Sequence, residues 1–117
     1  MSDYHEPVEL IDEHARDCTR AISSMKEELE AVDWYNQRIS ATKDESLKAI
    51  LIHNRDEEIE HACMILEWLR RNMDAWDEEL RTYLFKEGDI TALEAASESP
   101  ESAGSSDSSL GVGKIKK

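Results

Sequence analysis

Along the first forty positions, apolar or small residues recur at alternating steps of four and three: Ile11, Ala15, Cys18, Ile22, Met25, Leu29, Val32, then Asn36 and Ile39. That is the spacing of one face of an α-helix, and no Gly or Pro interrupts it. The pattern predicts one long helix with Pro7 in its first turn, where a missing N–H costs nothing. Ser40 to Asp44 breaks the rhythm, and Thr42-Lys43-Asp44-Glu45 reads as a capping box opening a second helix that runs to about Asn72. A second seam then follows the same steps through Leu47, Leu51, Asn54, Glu58, His61, Ile65 and Trp68.

A connection this short between two long helices predicts an antiparallel hairpin, each arm on the order of 40 Å at about 1.5 Å per residue. Asp74 is placed to cap a shorter third helix carrying Trp76, Leu80, Tyr83 and Leu84, with Gly88 helping to end it. The expected fold class is all-α. Two long helices and a short one bury little by themselves, so the hairpin is expected to need a partner, and pairing two copies makes a four-helix bundle.

Residues 1–93 are therefore expected to form the helical domain. From about Glu94 the chain turns to Ser, Glu, Gly and Pro, which predicts a disordered linker over 94–109. Residues 110–117 change character again, with Leu110, Val112 and Ile115 spaced among Lys114, Lys116 and Lys117. They read either as a frayed terminus or as a short peptide on a leash that docks into a groove.

Charge narrows the range of partners. The chain has 27 acidic against 14 basic residues, a formal net charge of -13, which argues against a nucleic-acid backbone as a partner and for a surface that concentrates cations. Charged residues, at 35%, nearly match apolar ones at 39%, so the core must be thin. No apolar run approaches the length of a membrane span, and no basic, apolar leader stands at Met1 to Leu10, so the expectation is a cytosolic protein with no membrane partner. Cys18 and Cys63 are far apart with no C-x-x-C, and are expected to be free thiols.

The chemistry lies in the second seam, where Glu58 and His61 stand at positions that a helix normally gives to leucine. Burying an ionised carboxylate costs several kcal/mol unless something compensates it, and residues three apart point the same way, so a metal cation is the natural compensator. Ferritin-like di-iron bundles take a Glu from each of two helices and a Glu-x-x-His from each of the other two. This chain holds half of that set: its single Glu-x-x-His, Glu58 to His61, and Glu28, which aligns with Met25, Val32 and Tyr35 beside the seam of the first helix. A second copy would supply the other half, placing the site on a dimer axis. Two copies of Glu28 and Glu58 with neutral His61 would carry four negative charges, which two divalent ions cancel. The other reading is a solvated acidic face.

Two further acidic faces invite weaker readings. Glu27, Glu30 and Trp34 share one side of the first helix, and two copies near an axis could form a ring that draws cations inward. His53, Glu57 and Glu60 stack on the second helix as an outer, hard-cation site. For each, simple solvation is the alternative. Trp34, Trp68 and Trp76 read as packing or interface residues.

The stretches EELEAVDWYNQR, Glu27 to Arg38, and HNRDEEIEHACMILEWLRR, His53 to Arg71, closely resemble the encapsulated ferritins of bacteria and archaea. The resemblance covers most of residues 6 to 90. It implies a subunit that dimerises into a ferritin-like four-helix bundle, with the dimers assembling into a ring-shaped decamer. By that likeness Glu28, Glu58 and His61 ligate a di-iron ferroxidase centre and Tyr35 lies close by. Glu27, Glu30 and Trp34 fall where metal enters, and His53, Glu57 and Glu60 at an outer metal site, with Ca²⁺ a further candidate for the entrance or interface positions. Residues 110–117 look like the peptides that load cargo into encapsulin shells. The implied activity is oxidation of Fe²⁺ by dioxygen inside a cytoplasmic encapsulin nanocompartment, which would store the ferric product. Rival expectations are a non-catalytic oligomer held together by zinc or calcium, and a cargo adaptor that only presents the tail.

Overall fold

The structure is a computed structural model and describes residues 4–97. Those residues form only helices and connecting turns: a 3-10 turn at Val8–Leu10, then α1 over Glu13–Ala41, α2 over Glu45–Asn72, α3 over Asp74–Tyr83 and α4 over Ala92–Ser97. The all-α expectation and the two long helices hold. The linker and tail readings beyond Ser97 lie outside the described residues, while the part of the expected linker over residues 94–97 is helical in α4.

Local chemistry moves several boundaries. Pro7 does not enter α1; its carbonyl accepts from Leu10 N–H at 2.9 Å and opens the separate 3-10 turn. Asp12 caps α1 instead, its Oδ1 accepting from Ala15 N–H at 2.8 Å. The capping box is displaced as well. Thr42 ends α1, its N–H donating to the Arg38 carbonyl at 3.0 Å, while its hydroxyl oxygen accepts from Asp44 N–H at 3.2 Å. Asp44 then caps α2 by accepting from Leu47 N–H at 2.9 Å. Its short carboxylate reaches a free N–H of the first turn while its own carbonyl starts the helical ladder with Lys48 N–H.

The first unit, Met1–Leu69, contains the hairpin, described here from residue 4. Residue pairs that meet across α1 and α2 run in opposite order, Glu28 with His61 and Asn36 with Arg55, as antiparallel helices require. Among the described residues, only Cys18, Ala62 and Leu69 are buried. Around this thin core Ile22, Leu29, Leu47, Ile50, Ile59 and Met64 stay more than a third exposed. Apolar surface on this scale is what a partner covers in assembled proteins.

The second unit, Arg70–Lys117, contains α3 packed on α4. Asp74 is the first helical residue of α3 rather than its cap, and Met73 precedes it without a side-chain bond. Asp77 is the fixed point here. Its carboxylate accepts from Arg70 and from Arg81, the latter at 2.9 and 3.1 Å. Burial alone would raise its pKa, but the Arg81 and Arg70 hydrogen bonds and charges outweigh that and hold it below its ordinary 3.8. Leu84 ends α3 and Phe85 follows it at φ +59°; Gly88, also at positive φ, lies beyond and does not end this helix.

Candidate metal centre

Helical spacing delivers the three side chains from two elements. Glu58 and His61 stand one turn apart on α2 and share a face, while Glu28 reaches across from α1. His61 Nδ1 lies 3.4 Å from Glu28 Oε1 and 3.6 Å from Glu58 Oε1. One donor atom from each of the three falls within 4.8 Å of the others. Both carboxylates are half-buried, with side-chain exposures of 22% for Glu28 and 27% for Glu58, and the imidazole is more open at 43%.

The cluster is electrostatically unfinished. Glu28 has its pKa raised above the ordinary 4.5, first because a carboxyl hydrogen bond with Glu58 favours a retained proton, then through desolvation and Glu58 repulsion; attraction from His61 acts the other way. For His61 desolvation pulls the pKa down, yet Glu28 and then Glu58 more than offset it, and the net shift is upward from 6.5. Glu28 Oε1 is buried and has no hydrogen-bond partner. Its gap to Nδ1 exceeds the usual hydrogen-bond range of roughly 2.7–3.2 Å, so a lone pair is held out of water without a donor.

That orphaned oxygen fits a cation. Two donors each about 2.1 Å from one ion, at tetrahedral or octahedral angles, stand about 3.0–3.5 Å apart, close to the spacings seen here. Two carboxylates and an imidazole form a mixed oxygen and nitrogen set suited to Fe²⁺, Mn²⁺ or Zn²⁺. Beside Glu28 an open groove of about 640 Å³ runs over Ala21, Met64, Ile65 and Trp68. Its rim carries Asp17 and Arg20, paired at 2.6 Å, which helical periodicity alone did not mark as neighbours of the site.

The remaining candidates are placed as follows. Tyr35 lies two turns beyond Glu28 on α1, with the Arg38 guanidinium 5.5 Å from its ring centre. Glu27 and Glu30 are exposed, and Trp34, 48% exposed, lines a shallow hollow with Gln37 and Arg38. His53 Nε2 stands 3.9 Å from Glu57 Oε2, both exposed, and Glu60 is exposed nearby in sequence. Among the described residues, Glu28, Glu58 and His61 are the set of three or more such donors gathered closely enough to share an ion within one chain. Cys18 and Cys63 are free, and burial, then Asp17 and Asp12, pushes the Cys18 thiol up and keeps it protonated.

A family model described as EncFtn-like matches residues 3–87. An encapsulated ferritin-like protein of Rhodospirillum rubrum is 55% identical over 96% of this chain and 86% of its own. A ferritin-like protein of Thermotoga maritima is 54% identical over 96% of both. An encapsulin nanocompartment cargo protein of Myxococcus xanthus is 44% identical over 41% of this chain and 37% of its own. The crystal structure of protein ne0167 from Nitrosomonas europaea superposes with a TM-score of 0.73 at 57% identity, over 76% of this chain and 98% of that one.

Proposed function

The chain belongs to the EncFtn-like family, and from that premise we propose that it is a ferroxidase, oxidising Fe²⁺ to Fe³⁺ with dioxygen at a centre shared between two copies. The observation that carries this reading is the gathering of Glu28, Glu58 and His61 within 4.8 Å around a buried, unpartnered carboxylate oxygen. One chain offers three protein donors. Two chains paired through the open faces of their hairpins form a ferritin-like four-helix bundle with six donors on its axis.

Each copy contributes two carboxylates, so the pair of half-sites carries four negative charges with His61 neutral. Two Fe²⁺ substrate ions balance them. Glu28 and Glu58 would hold the ions, and their negative charge favours the more highly charged ferric state. His61 binds through a ring nitrogen once its proton has left. Each Fe²⁺ gives up one electron, so a pair reduces one dioxygen by two electrons with two protons drawn from water, and the ferric ions leave as product. Tyr35, Glu27, Glu30 and Trp34 belong in this reading to the surroundings of the centre and the path by which metal enters, while His53, Glu57 and Glu60 form an outer site. Ca²⁺ is a candidate for the entrance and interface positions.

The encapsulin cargo relative supports a place inside an encapsulin nanocompartment of the cytoplasm, and in this reading residues 110–117, on the stretch that follows α4, are the targeting peptide. Dimers assembled as a ring-shaped decamer then leave storage of ferric product to the shell. No helix among the described residues is long and apolar enough to cross a membrane.

The test is aerobic addition of Fe²⁺ to the purified full chain and to Glu58→Ala, following ferric absorbance and oxygen uptake. Rapid oxidation in the parent and background oxidation in the variant is expected. Equal, slow oxidation in both would sink the ferroxidase reading.

A further inference from the structure

We infer that Asn36 and Arg55 fix the register and rotation of the hairpin, and so position Glu28 against Glu58 and His61 without touching a bound ion. The inference rests on the reading of that cluster as a metal site. Arg55 Nη1 donates to Asn36 Oδ1 at 3.0 Å, a bond that crosses from α2 to α1. Arg55 Nε also donates to Asp56 Oδ1 at 3.2 Å, which holds the guanidinium edge-on and leaves Nη1 free to reach α1. On α2 Arg55 precedes Glu58 by three residues, so the two share a side of the helix, and fixing the rotation of one fixes the other.

The need for such a device follows from the core. Only Cys18, Ala62 and Leu69 are buried among the described residues, and two of these are small. Apolar contact is non-directional, and a repeating four-and-three seam offers similar contacts one turn away. A slip of one turn moves α2 by about 5.4 Å along α1. That exceeds the 4.8 Å within which all three donors now fall. The short connection around Thr42–Asp44 tethers the helix ends, but a rotation of α2 by one residue, about 100°, would turn Glu58 and His61 away from Glu28. Asn36 follows the four-and-three sequence pattern but is exposed in the folded chain, so the bond lies at the edge of the thin core and not inside it. A polar side chain at that edge costs the core little and meets its Arg55 partner in one register only.

The test titrates Co²⁺ into the full-length protein, reading visible absorption, with thermal unfolding measured separately in EDTA. Because Asn36 is exposed, the unfolding temperature of Asn36→Leu is expected to change little, while Co²⁺ affinity falls about tenfold or more, as for other residues that orient ligands. Asn36→Asp retains an acceptor for Arg55 and is expected to bind within about twofold of the parent by the same argument. Equal affinity in Asn36→Leu and the parent overturns the inference, as does a loss of affinity that merely tracks a fall in unfolding temperature. Should Asn36→Leu fail to fold, Arg55→Met removes the donor and is read in the same way. Glu58→Ala separates the two levels: if it binds Co²⁺ as the parent does, the metal-site reading falls and the positioning role with it. Loss of binding in Glu58→Ala but not in Asn36→Leu discards the positioning role alone.

Discussion

Two carboxylate clusters in this chain have opposite electrostatic balances. In the second unit a single carboxylate, Asp77, accepts from two guanidinium groups, and its pKa is held low. In the first unit two carboxylates, Glu28 and Glu58, face one imidazole, and the pKa of Glu28 is raised. Side-chain exposure does not separate the two, since Asp77 is 31% exposed and Glu58 27%. What separates them is the count of charges. The Asp77 cluster is complete as a structural ion pair and has nothing to gain from a ligand. The Glu28 cluster lacks positive charge, and the deficit shows in the raised pKa of Glu28 and in an unpartnered oxygen. An arrangement that is unfavourable when empty is what a cation site requires, because the ion then supplies what folding left out.

Removing the deficit should make the first cluster behave like the second. Glu28→Gln keeps the shape but deletes one charge, so Co²⁺ affinity is expected to fall by at least about tenfold in a titration, by analogy with the loss seen when ligand partners are changed. The same variant should unfold at a higher temperature than the parent in EDTA, since carboxylate repulsion is relieved. A variant that binds Co²⁺ normally, or is less stable without metal, would break the contrast.

Opening the second cluster should cost stability and leave the site alone. Asp77→Asn strands two guanidinium groups, one of them 68% exposed, so the expected destabilisation is a screened value of about 1–2 kcal/mol. Urea unfolding of the full chain measures it, and Co²⁺ affinity is expected to match the parent.

Changes of pH are expected to have the smallest effects. Asp77 binds a proton less readily folded than unfolded, so its contribution is present above pH 3.8 and is lost as pH falls through the depressed folded value. Glu28 and His61 bind protons more readily when folded. The stability they confer on the metal-free protein is present below their ordinary 4.5 and 6.5, and is lost as pH rises through the raised folded values. Thermal unfolding in EDTA across this range should therefore fall with rising pH in the parent and flatten in Glu28→Gln. Added Co²⁺ should raise the unfolding temperature more at higher pH, because the ligands must lose their protons to bind. A metal-induced shift independent of pH would contradict the raised proton affinity of Glu28 and His61.

The helix periods were legible because a core-facing stripe has to repeat with the helix itself, and the residues from Ile11 to Ile39 and from Leu47 to Trp68 do so without a breaker. Boundaries were less legible. Pro7, Thr42 and Asp74 each carry a side chain suited to a helix start, but Asp12, Asp44 and Met73 occupy the starts because the choice depends on which N–H groups are left free nearby. Phe85 in a left-handed conformation and the short α4 carried no sequence signal strong enough to read.

Glu58 and His61 could be paired from spacing alone, since the geometry of one helix puts residues three apart on one side. Glu28 required more. Its place opposite them depends on the antiparallel register of α1 and α2, as do the 3.4 Å approach to His61 and the orphaned oxygen. The Asn36–Arg55 bond that crosses between the same helices belongs to that class too. The two long helices, the acidic excess and the Glu-x-x-His pair follow from the chain alone, because each is a local or compositional property. Only the tertiary structure decided which carboxylate faces that pair and leaves it short of positive charge, because distance between helices is fixed by packing and not by spacing along either one.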